Sequence, residues 1–120
     1  MVLLHFTLAI SECDTKNPSY IGCYVDDGSR DLYDGPKNYG YNQQTCNEAC
    51  QAYPYFALQN NGWCVCGAAY ATEPQYVKRP DGECGSKGLG GGWRNSIYHT
   101  CGYEGNCHSK KLNILLFNLI

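Results

Sequence analysis

The sequence predicts a small, disulfide-rich α+β domain: one helix packed on an antiparallel sheet, with long loops and apolar terminal extensions. Nine of the 120 residues are cysteine, a density close to that of disulfide scaffolds. Cys46 and Cys50 have the spacing of one helix face, whereas Cys64 and Cys66 have the spacing of one strand face. Both separations are roughly 6–7 Å. Two disulfides can therefore join that helix to that strand without strain.

Composition places the chain in an oxidising, extracellular compartment, either secreted or at the cell surface. Its length suits one domain with a modest core, and cross-links compensate for a small core. The formal net charge is −2, with acidic and basic residues interspersed. This pattern gives no basic stripe for nucleic acid and no polybasic patch for an anionic membrane.

Three segments divide the chain. Residues 1–19 comprise an apolar run over 1–10, either a secretory signal or a retained strand, and a linker. Residues 20–100 form the predicted domain. Residues 101–120 contain a small loop between Cys101 and Cys107 and an apolar tail, which is too short and too interrupted by asparagine to span a bilayer.

Local patterns place the elements within the domain. Alternating apolar residues predict a strand over 20–25, and residues 34–41 are rich in turn signals. A helix is expected over about 43–53, capped by Asn42 and ended by Pro54. Thr45 is a second possible start, because a capping box begins there. The stripe Cys46, Ala49, Cys50 and Tyr53 would then face the sheet.

The second half of the domain reads as a hairpin, a loop and a closing strand. Strands over 55–59 and 63–66 flank the turn signal Asn60-Asn61-Gly62. Glycine-rich residues 67–92 form a long loop that Cys84 pins, and loops of this length are usually functional or mobile. Residues 93–98 form the closing strand.

Residues 20–98 resemble the WSC domain, a cysteine-rich extracellular module, through a series of short motifs in order. These are Gly22-Cys23-Tyr24, Arg30-x-Leu32, Cys46-x3-Cys50, Cys64-x-Cys66-Gly67, Cys84, and Gly90-Gly91 followed by Arg94-x3-Tyr98. The resemblance implies a carbohydrate-binding module or a cell-wall sensor ectodomain. It leaves both ends of the chain unexplained.

One departure from the family concerns cysteine number. Members commonly carry eight cysteines, including one directly before the Gly-Gly pair and one in the loop ahead of it. Here Leu89 precedes Gly90, and Cys84 stands alone in that loop. A six-cysteine core remains, and the family's late disulfide is called into question.

Disulfide pairing has two solutions for the helix and the strand. Helix-on-strand geometry predicts the nested pairs Cys46–Cys66 and Cys50–Cys64, with Cys23–Cys84 closing the domain. The crossed pairs Cys46–Cys64 and Cys50–Cys66 differ only in helix direction. The other cysteines are Cys13, Cys101 and Cys107. Either the last two close a local loop, or Cys13 bonds one of them and ties the linker to the tail.

Sugar binding requires flat aromatic faces and amide or carboxylate groups for hydroxyls. Residues of these types cluster at the hairpin turn, in the loops beside it and at the start of the closing strand. The predicted carbohydrate-binding residues are Gln59, Asn60, Asn61, Trp63, Tyr70, Trp93, Arg94 and Asn95. Tyr39 and Tyr41 are further aromatic candidates.

The sequence offers no convincing catalytic set, so we expect a protein that is not an enzyme. It contains no nucleophile elbow, zinc-protease motif or phosphate loop. Asp26 and Arg30 are more simply an ion pair over a turn than part of a calcium site, because their spacing is not that of a calcium loop. We therefore expect neither a metal nor a cofactor.

Two functions from different classes follow. The first is a non-catalytic, lectin-like module that binds a polysaccharide or a glycoprotein glycan. The alternative is a structural subunit of an extracellular filament or coat, assembled through residues 1–10 and 112–120. Particle size separates them, because a filament subunit associates and a simple module is a monomer.

Overall fold

The computed structural model describes residues 13–103, and it confirms the predicted α+β class. The predictions made for residues 1–12 and 104–120, including Cys107 and both apolar runs, lie outside the described residues. In chain order the elements are β1 (Tyr20–Val25), β2 (Asp34–Asn38), α1 (Gln43–Ala49), β3 (Tyr55–Gln59), β4 (Trp63–Gly67), β5 (Lys78–Arg79), a 3-10 helix (Asp81–Cys84) and β6 (Arg94–His99).

The strands form one six-stranded antiparallel sheet in the order β2-β4-β3-β6-β1-β5. Successive side chains of the central strands point alternately into two cores, one on each face of the sheet. Phe56, Leu58 and Tyr98 join the helix cysteines in the first core. Ala57, Val65 and Ile97 form the second, together with Leu32. The centre of the sheet is therefore buried on both sides.

The helix begins where Asn42 was predicted to cap it. The Asn42 side chain accepts from the Thr45 N–H, while the Thr45 hydroxyl accepts from the Asn42 N–H. A start at Thr45 is therefore wrong. The helix is also shorter than predicted and ends at Ala49, because the Cys50 N–H already bonds the carbonyls of both Cys46 and Asn47.

The buried stripe of the helix also differs from the prediction. Ala49 is exposed, and Asn47 is buried in its place beside Cys46 and Cys50. The Asn47 amide donates to the Cys101 carbonyl at 3.2 Å and accepts from the Cys101 N–H at 2.7 Å. This polar residue is buried because it satisfies the backbone of a chain segment far away in sequence.

The disulfides follow the crossed pattern, and the nested pairing is wrong. Cys46 bonds Cys64 and Cys50 bonds Cys66. The short connection from Ala49 to Tyr55 reverses the chain, so α1 runs against β3. Because β3 is antiparallel to β4, α1 runs in the direction of β4. The first helix cysteine consequently meets the first strand cysteine.

Two further disulfides complete the described part. Cys23 bonds Cys84, as predicted, and ties β1 to the end of the 3-10 helix. Cys13 bonds Cys101, which is one of the predicted pairings that join the linker to the tail; the predicted loop closed by Cys107 lies outside the described residues. Every cysteine of residues 13–103 is thus in a disulfide.

Two segments predicted without strands contribute edge strands. The turn-rich residues 34–41 include β2, whose ladder with β4 is irregular between Asp34 and Asn38. Its Pro36 is compatible only with an edge position. Gly35 has φ +86°, and an added Cβ would collide with the Cys66 sulfur. The long loop 67–92 supplies β5, a two-residue strand at the other edge.

Candidate functional site

A shallow, open cleft of ≈ 200 Å³ lies at the end of the sheet where β3 ends and β4 and β6 begin. Its walls combine aromatic rings, amides and one guanidinium. The main lining residues are Arg30, Tyr39, Gln59, Asn60, Trp63 and Trp93. Pockets that enclose drug-sized ligands measure about 300–1,000 Å³, so this cleft is smaller than such pockets.

The centre of the cleft is a guanidinium between two indoles. The Arg30 Cζ lies 4.2 Å from the centroid of Trp63 and 5.0 Å from that of Trp93. Cations are attracted to the negative faces of aromatic rings, Trp most strongly. Arg30 therefore makes a favourable contact with both indoles.

A buried polar network holds Arg30 from below. Its Nη1 donates to Asp26 Oδ2 at 3.0 Å, which is the ion pair predicted over the turn. Asp26 also accepts from Gln59 Nε2 at 2.7 Å and from the Asp31 N–H at 2.9 Å. Three donors thus satisfy this buried carboxylate. The charges of Asp26 and Arg30 offset one another, so the cleft has no net charge from this pair.

Two aromatic rings remain available to a ligand. Trp93 is 48% exposed and Tyr39 is 55% exposed, although both belong to large apolar residue types. Trp93 has φ +53°, a conformation that costs non-glycine residues free energy and clusters at ligand sites. Its carbonyl accepts from the Asp26 N–H at 3.0 Å, which anchors this backbone. Tyr39 is held by Asn60, whose Nδ2 donates to its hydroxyl at 2.7 Å.

The hairpin turn that carries Asn60 is clamped by the glycine-rich segment 89–91. The backbone N–H groups of Asn60, Asn61 and Gly62 donate to the carbonyls of Gly91, Gly90 and Leu89 respectively. Gly90 lies so close that an added Cβ would overlap the Leu58 carbonyl oxygen and the Gln59 Cα. The Gly90-Gly91 pair thus allows the long loop to support the turn directly.

The structure brings four of the eight predicted carbohydrate-binding residues into this cleft: Gln59, Asn60, Trp63 and Trp93. Of the other aromatic candidates, Tyr39 joins them. Sequence reasoning did not assign Arg30 to the site, and its stacking between two tryptophans distant in sequence has no local signal.

The remaining candidates lie elsewhere. Tyr70 packs against Tyr24 and Tyr55, with ring centroids 5.4 and 4.9 Å away. Tyr41 packs against the first core, on the helix side of the sheet. Asn95 is fully buried behind Gln59, to which its Oδ1 is bonded. Asn61 lines a neighbouring cleft.

Arg94 forms an ion pair with Glu83 and does not line the cleft. Its Nε donates to Glu83 Oε1 at 2.7 Å, and Arg79 Nη2 donates to Glu83 Oε2 at 2.8 Å. Hydrogen bonds from Arg79 and then Arg94 lower the pKa of Glu83 to about 2. This ionic cluster fastens the 3-10 helix to β5 and β6.

Within residues 13–103, three sulfurs form the one group whose spacing suits a metal ion: those of Cys46, Cys50 and Cys64. All three belong to disulfides, and metal binding by cysteine requires thiolate. In the same range, no helix has the length and apolar character needed to cross a bilayer.

The structure is a disulfide-bonded α+β module with an aromatic cleft. The family model of the WSC domain matches residues 20–103, and the chain belongs to this family. A search of curated proteins found no significant match.

Proposed function

We propose that this protein is an extracellular, non-catalytic carbohydrate-binding module that holds a neutral glycan in the cleft around Arg30. Membership of the WSC family supports the general class, and the four disulfides of residues 13–103 are consistent with an oxidising compartment. The observation that carries the proposal is the Arg30 guanidinium between two indoles, which leaves Trp93 exposed at the rim.

The chemistry of the cleft matches a pyranose. The apolar C–H face of a sugar ring packs on Trp93 or Tyr39, and the exposed Asn60 amide lies beside them to bond hydroxyls. Because Asp26 neutralises Arg30, attraction of a charged ligand is not required. We therefore expect weak, millimolar-class binding that changes little with salt concentration.

The first test is Trp93→Ala. The exposed indole contributes ligand contact rather than core packing, so this variant is expected to lose retention on a polysaccharide column while its melting temperature is preserved. Columns of immobilised β-glucan, xylan and mannan, each run at low and high salt, give the readout. Tyr33→Ala is the matched control, because Tyr33 is a 62% exposed aromatic that contacts Lys37 and does not line the cleft.

Trp63→Ala separates ligand contact from packing. From the sequence, Trp63 is predicted to be a carbohydrate-binding residue. The structure packs it against the second core, so we expect this variant to lose stability as well as retention. Unchanged retention in both tryptophan variants, or no retention of the unmodified protein on any column, would contradict the proposal.

A further inference from the structure

A second cleft of ≈ 170 Å³ lies beside the same hairpin turn. Its lining includes Asn61, Ser86, Lys87 and Leu89. Asn60 lines the first cleft and Asn61 lines the second. Because consecutive α-carbons are about 3.8 Å apart, the two clefts are adjacent at this turn.

The second cleft is formed by anchored backbone. The Lys87 carbonyl accepts from Gln43 Nε2 at 2.7 Å, and the Gly88 carbonyl accepts from the Tyr98 hydroxyl at 2.6 Å. The helix and the first core thus fix the loop that forms one wall of the second cleft. On the other wall, the Asn61 N–H is bonded to the Gly90 carbonyl at 3.1 Å. Both walls are in place before a ligand arrives, which lowers the entropy cost of binding.

The polar groups of this cleft suit sugar hydroxyls. The side chains of Asn61, Ser86 and Lys87 are exposed, and they supply amide, hydroxyl and ammonium donors. Among residues 13–103, no carboxylate pairs with the Lys87 ammonium within 4.0 Å. Half-buried Leu89 adds an apolar contact at the wall. This combination of polar and apolar groups resembles that of the first cleft, without its aromatic rings.

We propose that the two clefts form one extended site for a linear polysaccharide, in which adjacent sugar units lie on either side of the Asn60–Asn61 turn. This inference rests on the proposed function and adds the ligand class: an internal stretch of a chain rather than a single terminal sugar. The first cleft supplies ring stacking. The second supplies hydrogen bonds to the next unit, so that affinity depends on chain length.

The experiment measures affinity against oligosaccharide length. Isothermal titration uses gluco-, xylo- and manno-oligosaccharides of one to six units. For the series that binds, affinity is expected to rise once the ligand reaches both clefts. Asn61→Gly removes the amide and keeps the left-handed backbone, where Asn61 has φ +67°. This variant and Lys87→Ala are each expected to bind the longest oligosaccharide about fivefold more weakly, the loss for one net hydrogen bond.

Controls separate this inference from the function on which it rests. Both variants should bind the single sugar unit as the unmodified protein does, and Lys16→Ala, in the linker, should change nothing. Affinity independent of length, or long-chain binding unaffected in both variants, overturns the extended site while a Trp93→Ala defect would still support the first cleft. An unaffected Trp93→Ala variant, or no binding by any series, overturns the proposed function itself.

Discussion

Arg30 shows how a single residue organises the cleft. It follows β1 with a left-handed φ of +65°, and its side chain lines the cleft. Asp26 bonds the guanidinium at Nη1, and the Arg30 Cζ lies over the rings of both Trp63 and Trp93. Lysine could retain the charge at this position, but its ammonium lacks the planar surface that stacks between rings.

Local sequence patterns predicted some site residues correctly but not others. Gln59, Asn60 and Trp63 were predictable because they surround a hairpin turn with strong local signals. Tyr70, in contrast, is an aromatic residue of the kind that packs on sugar rings, yet its ring packs against Tyr24 and Tyr55 of the sheet. Pairing among distant aromatic residues decides that difference, and no short-range pattern encodes it.

Glu83 leads to a prediction about acid stability. Because Arg79 and Arg94 lower the pKa of its carboxyl from 4.5 to about 2, its ionised form is stabilised in the folded state. Its contribution to the free energy of unfolding is therefore present above pH 4.5 and is lost as the pH falls towards 2. Glu83→Gln should be less stable than the unmodified protein at neutral pH, and the difference should shrink over that interval.

Urea unfolding at several pH values, with the disulfides intact, measures the effect of Glu83→Gln. High salt should reduce the difference at neutral pH, because the pairs with Arg79 and Arg94 are partly exposed. Glu73→Gln, at an exposed position outside the ion pairs of residues 13–103, is the matched control. A Glu83→Gln difference that stays constant down to pH 2 would disprove the assignment.

At the scale of elements, the sequence predicted which segments fold and left open how they are oriented. Cysteine spacing and turn signals located α1 and four central strands. The irregular edge strand β2 was missed because its stability comes from pairing with β4 rather than from its own residues. Helix direction depended on the short connection between Ala49 and Tyr55, which fixes α1 against β3 and hence along β4.

The crossed disulfides can be verified by peptide mapping. Cleavage after Glu48 separates Cys46 from Cys50, and cleavage next to Val65 separates Cys64 from Cys66. Under non-reducing conditions, we expect fragments that link Cys46 to Cys64 and Cys50 to Cys66. Removing the second bridge with Cys50→Ser and Cys66→Ser should lower the free energy of unfolding by about 2–5 kcal/mol. A fragment that joins Cys46 to Cys66 would refute this arrangement.

At the scale of the whole molecule, Cys13–Cys101 brings the two ends of the described part together. Their α-carbons are 5.4 Å apart, so the segments 1–12 and 104–120 are attached at adjacent points. All but one of the cysteines lie in the described part. Nine are present in the sequence, and residues 13–103 use eight in four disulfides. The ninth, Cys107, lies outside the described residues.

Adjacent attachment of two apolar segments leads to a prediction about association. The runs 1–10 and 112–120 would expose apolar surface in water if each were alone, and strand addition between copies can cover them. A protein that retains both runs should therefore form oligomers in light scattering, and deleting both should leave a soluble monomer. Cys107→Ser separates apolar association from a disulfide between copies: oligomers should persist in this variant under non-reducing conditions. A monomeric full-length protein would instead favour pairing of the two segments within one chain, or removal of residues 1–10 as a signal.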